Sequence, residues 1–157
     1  MRVAFGTDHA GYELKERLKR DVAAWGHQVA DFGTYSTEPV DYPDFCFRVG
    51  EAVARGDADR GIVLGGSGNG EGMAANKVVG VRATVVTSDE TARLARLHND
   101  ANVLALGART NPDPDAIARW VRIWLDTEFE GGRHVARLRK IADYERRHAA
   151  GAGVERV

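Results

Sequence analysis

The stretch Gly61-Ile62-Val63-Leu64-Gly65-Gly66-Ser67-Gly68-Asn69-Gly70-Glu71-Gly72-Met73-Ala74-Ala75-Asn76-Lys77 decides the fold. Its first four residues form an apolar run without alternation, as a strand covered on both faces requires. A glycine-rich loop follows, Gly65–Gly72, and a short helix is predicted over Met73–Lys77. Glycines let backbone N–H groups come close to a ligand, and a helix start favours negative charge. The loop therefore reads as an anion cradle. A merely tight turn is the competing reading, but five glycines in eight residues exceed what a turn needs. No nucleotide fingerprint is met. Gly65 and Gly70 have P-loop spacing, yet Glu71 stands where a P-loop places lysine, and it would repel the phosphates. A G-x-G-x-x-G frame fails as well, its third position falling on Glu71 or Met73.

Outward from this unit the same alternation repeats. Strands are predicted at Val3–Phe5, His27–Asp31, Val81–Val86 and Val103–Leu106. Helices are predicted at Tyr12–Trp25, where Leu14, Leu18, Val22 and Trp25 share a face, and at Phe45–Arg55, Thr91–Leu97, Asp115–Leu125 and Arg133–His148. Phe32–Asp44, with Pro39 and Pro43, reads as a loop. Repeated strand–helix units predict an α/β fold: a Rossmann-like, doubly wound parallel five-stranded sheet, helices on both faces, plus a C-terminal helix. Ligands of such sheets bind beyond the carboxyl ends of the strands. The loops to inspect are Gly6–Gly11, Gly65–Gly72, Thr87–Asp89 and Gly107–Thr110.

The chain has 157 residues, consistent with one domain over 1–157, of which about 149–157 is expected to be a flexible tail. Net charge is −1, which excludes a strongly basic coat for nucleic acid or anionic membrane. One cysteine, Cys46, forms neither an internal disulfide nor a cysteine zinc site. No signal-like or membrane-spanning apolar run is present, so the expected location is cytoplasmic.

Three further clusters carry potential chemistry. Thr7-Asp8-His9 ends the first strand, where an Asp–His pair serves proton transfer or phosphate contact; alternatively Asp8 caps the following helix. His98-Asn99-Asp100 places a titratable ring before the fifth strand, or is simply a polar turn. Gly131-Gly132-Arg133-His134 with Arg137 puts two guanidiniums on one helix face. Residues 133–148 hold six Lys/Arg against two Asp/Glu, which suits a phosphate or a solvated charged face. His27, His134 and His148 show no comparable setting.

Taken together, the chain resembles the type B ribose-5-phosphate isomerases, the family that also contains galactose-6-phosphate isomerase subunits. The resemblance spans residues 2 to 148. It rests on Gly6-Thr7-Asp8-His9-Ala10-Gly11, Asp41-Tyr42-Pro43, Gly65–Gly72 with Ala74-Ala75-Asn76-Lys77, His98-Asn99-Asp100, and Glu130-Gly131-Gly132-Arg133-His134. It implies an aldose–ketose isomerase without metal or cofactor, interconverting ribose 5-phosphate and ribulose 5-phosphate through an enediolate. By resemblance, Asp8 and His98 open the sugar ring, with His98 as proton donor. His9, Arg109, Arg133 and Arg137 hold the phosphate. Asn99 and the backbone of Gly66, Ser67, Gly68, Asn69 and Gly70 face the enediolate oxygens. One branch of the family uses a cysteine base at the position of Gly65; the other uses a glutamate six residues on, which matches Glu71. The resemblance also implies a homodimer or dimer of dimers, with last-helix arginines reaching into the neighbouring subunit, and a place in pentose phosphate metabolism. An isomerase of four- or six-carbon sugar phosphates and a non-catalytic sugar-phosphate binder stay open as alternatives.

Overall fold

The computed structural model describes residues 1–111 and 113–149; the end of the expected tail, 150–157, lies outside them. The strands are β1 Arg2–Thr7, β2 Gln28–Asp31, β3 Arg60–Gly65, β4 Ala83–Val85 and β5 Val103–Gly107. The helices are α1 Tyr12–Ala24, α2 Tyr42–Ala54, α3 Asn69–Ala75, α4 Asp89–Asn99, α5 Pro114–Asp126 and α6 Arg133–His148, with a short 3₁₀ turn at His9–Gly11. All five strands are parallel, in the order β2-β1-β3-β5-β4.

The apolar strand runs divide their side chains between two cores. Val3, Phe5, Ile62, Leu64, Leu104 and Leu106 face α1, α4 and α5, where Trp124 is fully buried. Ala4, Val63, Val103 and Ala105 face α2 and α3. Side chains on the second face are smaller, so α2 lies close to the sheet. A Cβ at Gly6 would stand 2.8 Å from Val49 Cγ2 and 2.9 Å from the Phe45 carbonyl oxygen.

Two boundaries differ from expectation in ways that matter for the site. Helix α2 begins at Tyr42 rather than Phe45, because Pro43 sits in its first turn, where a missing N–H costs nothing. Helix α3 begins at Asn69, inside the glycine run, rather than at Met73. Gly68 precedes it at φ +83, a left-handed conformation that favours glycine. Glu71 is consequently a first-turn helical residue. Strand β4, expected over 81–86, keeps only three residues at the sheet edge. No helix among the described residues is long and apolar enough to cross a membrane.

Candidate active site

Three neighbouring strands, β1, β3 and β5, deliver three loops to one crevice at their carboxyl ends. Backbone bonds hold the loops together: Ala108 N–H donates to the Gly65 carbonyl at 2.8 Å, and Arg109 N–H to the Gly66 carbonyl at 3.0 Å. The Thr7 hydroxyl donates to the Leu64 carbonyl at 2.9 Å. Beyond β1, Asp8 is buried and its Oδ1 accepts from Ala10 N–H at 2.9 Å. Asp8 thus caps the short 3₁₀ turn His9–Gly11 and not α1, which starts from Gly11 without a side-chain cap; its second oxygen is left for other chemistry. His9 Nδ1 accepts from Val40 N–H at 3.3 Å, so a neutral His9 ring carries its proton on Nε2 and can donate from there.

Glu71 is 4% exposed. Its Oε2 has no hydrogen-bond partner among the described residues. Burial pushes its carboxyl above the ordinary range and the Asp8 charge adds to this, while the N–H groups of Glu71, Gly68 and Gly66 pull the other way. A carboxylate so raised is a stronger base than an exposed one. A Cβ at Gly70 would stand 2.7 Å from the Tyr42 ring and hydroxyl, so Tyr42 roofs the glycine loop. Cys46, on α2, is fully buried; burial first, then the charges of Glu71 and Asp8, push its thiol pKa up, which disfavours the reactive thiolate.

The crevice thus gathers Asp8, His9, Gly66, Ser67, Gly68, Asn69, Gly70, Glu71 and Arg109. His98, Asn99, Arg133 and Arg137 are not in it. Helix α4 starts beside the carboxyl edge of the sheet and ends at Asn99, just before β5 begins. Five residues of β5 at about 3.3 Å each separate the two edges. On the amino edge, His98 stacks on His134 with ring centroids 4.3 Å apart and planes 12° from parallel. Glu130 Oε2 lies 3.7 Å from His98 Nε2 and 3.8 Å from His134 Nε2. The backbone bond from Glu130 N–H to the Leu97 carbonyl, 3.0 Å, ties this group to α4. Arg133 and Arg137 are exposed, one helical turn apart. His134, for which the sequence analysis finds no chemical setting, is only 5% exposed; its spacing of four from Glu130 is the signal that points to the pairing.

The candidate groups of a single chain therefore fall into two sets at opposite edges of its sheet. The model of the family described as Ribose/Galactose Isomerase matches residues 3–141. The chain belongs to the ribose/galactose isomerase family. Ribose-5-phosphate isomerase B of Escherichia coli is 42% identical over 146 residues, covering 93% of this chain and 97% of the relative. Ribose-5-phosphate isomerase B of Mycobacterium leprae is 44% identical over 152 residues, covering 96% and 93%. Among solved structures, Clostridium thermocellum ribose-5-phosphate isomerase B superposes with a TM-score of 0.92 at 48% identity, covering 94% of this chain and 99% of that one. The Mycoplasma genitalium enzyme, solved with bound ribulose-5-phosphate, gives 0.88 at 41% identity, covering 92% and 96%. The family and the Rossmann-like parallel fold expected from the motifs are both met.

Proposed function

We propose that this family member interconverts ribose 5-phosphate and ribulose 5-phosphate, with Glu71 as the base. The observation that carries the reading is the buried Glu71 carboxyl, with one unpartnered oxygen, beneath a glycine loop and beside Asp8. The names of its relatives and the ribulose-5-phosphate bound to one of them support the substrate.

The furanose opens first. His98 gives a proton to the ring oxygen as the C1–O bond breaks, and Asp8 takes the proton of the C1 hydroxyl. Glu71 then removes the proton from C2 of the open aldose. The resulting enediolate charge rests on oxygens facing the N–H groups of Gly66–Gly70, with Ser67 and Asn99 beside them. Such aimed donors are worth several kcal/mol, about 3–4 for one donor in comparable sites. Glu71 returns the proton to C1 while the O2 hydroxyl proton passes to O1, and the ketose is formed. His9, Arg109, Arg133 and Arg137 hold the phosphate.

This assignment requires two chains. His98, Asn99, Arg133 and Arg137 belong to the opposite sheet edge, so a second copy must bring them to the first copy's crevice. The homodimer, alone or paired again, is supported by α6. Its only buried residue is His134. Ile141 and Tyr144 on the same helix are 52% and 61% exposed. Because a charged sugar phosphate does not cross membranes unaided, we place the enzyme in cytoplasmic pentose phosphate metabolism.

The test is a panel of four-, five- and six-carbon aldose phosphates with purified protein. The highest kcat/KM should belong to ribose 5-phosphate and fall at least tenfold for the others. A six-carbon preference overturns the substrate. Binding without turnover of any member overturns the enzyme reading in favour of a binding protein.

A further inference from the structure

We propose that His98, Glu130 and His134 form a binding site for a divalent transition-metal ion of the zinc type, and that its occupancy switches the isomerase off. The switching half rests on the ring-opening role given to His98; the binding half does not.

The argument starts from donor chemistry. Two imidazoles and one carboxylate suit zinc, and a three-residue set leaves a fourth position for water. The three donor atoms lie within 4.8 Å of one another. Bonds of about 2.0–2.1 Å in a tetrahedron put neighbouring ligands about 3.4 Å apart. The two carboxylate-to-imidazole separations, 3.7 and 3.8 Å, are already close to that spacing. The two rings lie nearly parallel, so their in-plane lone pairs do not meet at one point as they stand; the half-buried His98 ring must swing out of the stack to complete the set.

The parts differ in rigidity in a way that favours binding. His134 is buried and stays in place, while His98, the more exposed ring of the stacked pair, is the one that moves. Glu130 is held by its backbone bond to the Leu97 carbonyl, while its side chain stays half exposed and can close on an ion. The opposing feature is Arg133, whose Nε lies 3.5 Å from His134 Nε2. Its side chain is exposed and must turn aside when a cation enters. Neither separation from Glu130 is short enough for a hydrogen bond; what an ion displaces is the Arg133 contact and the His98–His134 stack. An ion there takes the Nε2 lone pair of His98. A metal-bound imidazole nitrogen cannot carry the proton that the sugar ring oxygen needs.

The test uses tag-free, chelator-washed protein titrated with zinc chloride by calorimetry and, separately, with cobalt(II) followed by visible absorption. Expected are one site per chain and a four-coordinate cobalt spectrum, with affinity reduced at least tenfold in both His134→Gln and Glu130→Gln. Zinc should inhibit the wild type, chelator should restore it, and Glu130→Gln should keep basal activity while losing the inhibition. Glu71→Gln, inactive as an isomerase, should bind zinc as the wild type does; this separates failure of the site from failure of the functional reading. Binding that neither His134→Gln nor Glu130→Gln weakens overturns the site. Occupancy without inhibition overturns the switch.

Discussion

The Glu71 carboxyl group fills the space that a side chain at position 65 would occupy. A Cβ placed on Gly65 falls on Glu71 Oε1 and lies 3.0 Å from its Cγ. The two positions, six residues apart, compete for one volume at the end of β3. A base can be supplied from the strand end or from the first turn of α3, but not from both at once. The glycine at position 65 is thus a condition for Glu71 to act.

Gly65→Ala tests this directly. The obstructing atoms are the far end of a flexible side chain, so the fold should lose no more than about 1 kcal/mol, while kcat falls at least about a hundredfold as Glu71 is displaced. Gly68→Ala should behave in the reverse order of severity for stability. There φ is +83, and the new Cβ would stand 3.0 Å from the Leu106 carbonyl carbon. Denaturant unfolding should show a loss of more than about 2 kcal/mol. Equal stability losses in the two variants would contradict the assignment of what each glycine accommodates.

Glu71→Gln should lower kcat by about 10³ or more, with substrate binding largely retained. It should also change stability with a definite sign. The folded carboxyl titrates above its ordinary value of 4.5, burial being the main cause. Between 4.5 and the folded value the native state holds the proton that the unfolded chain has released. Wild-type stability therefore falls as pH rises through that window. Relative to wild type, Glu71→Gln should be more stable at neutral pH, and the difference should shrink below pH 4.5. Melting curves at the two pH values check it; a destabilised variant at neutral pH would argue that Glu71 is a structural anchor.

Thiol reagents should leave activity intact in the folded protein. Cys46 is fully buried and its thiolate is disfavoured, first by burial and then by the Glu71 and Asp8 charges. Rapid loss of activity with iodoacetamide, slowed by substrate, would move the base to Cys46.

The parallel sheet and the glycine cradle were legible because each rests on local pattern: unbroken apolar runs for doubly covered strands, and clustered glycines after one of them. Helix starts were misread where an exception was at work. Pro43 reads as a breaker unless its place in the first turn of α2 is known, and Gly68 and Gly70 read as loop although Gly70 is helical. What the sequence hid is spatial. Asp8 and Glu71 meet because β1 and β3 pair, whereas His98 and Asn99 lie across the length of β5. Nothing in the spacing of those residues reveals that separation. His134 shows no setting in the sequence because its neighbour, His98, lies 36 positions away, and the two stack only once α4 and α6 have packed.

A second buried charge lies between α1 and β2. Lys15 is fully buried and its Nζ donates to both Asp31 oxygens at 2.7 Å. Burial alone would raise the Asp31 carboxyl, but Lys15, Lys19 and the Gly33 N–H together hold it below its ordinary 3.8. Asp31 contributes stability that is present above that value and lost as pH falls through the folded one. Asp31→Asn should cost up to about 3 kcal/mol, because only Glu16, 3.0 Å from Nζ, then remains to pair the buried Lys15 charge. Lys15→Met should cost clearly less, since it removes the buried charge itself. A cost for Lys15→Met equal to that of Asp31→Asn would show that the pair matters for packing rather than for charge.

The split of functional groups between the two sheet edges makes its sharpest prediction for mixed subunits. In the proposed dimer each site takes Glu71 and Asp8 from one chain, and His98, Arg133 and Arg137 from the other. Glu71→Gln inactivates the site to which it contributes a crevice; Arg137→Ala weakens the site to which it lends its helix. In a mixed dimer one site then receives both altered residues and the other receives neither. Two preparations that are inactive alone should therefore regain activity on mixing, approaching half the wild-type turnover per mixed dimer. The exposed apolar positions Ile141 and Tyr144 make α6 a reasonable bridge, since a helix packed wholly on its own chain would cover them. If instead Arg137 served its own chain, every site would carry one defect or the other, and mixing would restore nothing. Native mass spectrometry should establish that subunits have exchanged before activity is read. A mixture that has exchanged and stays inactive would refute the shared site, and exposed arginines on α6 would then be solvated charges of little energetic consequence.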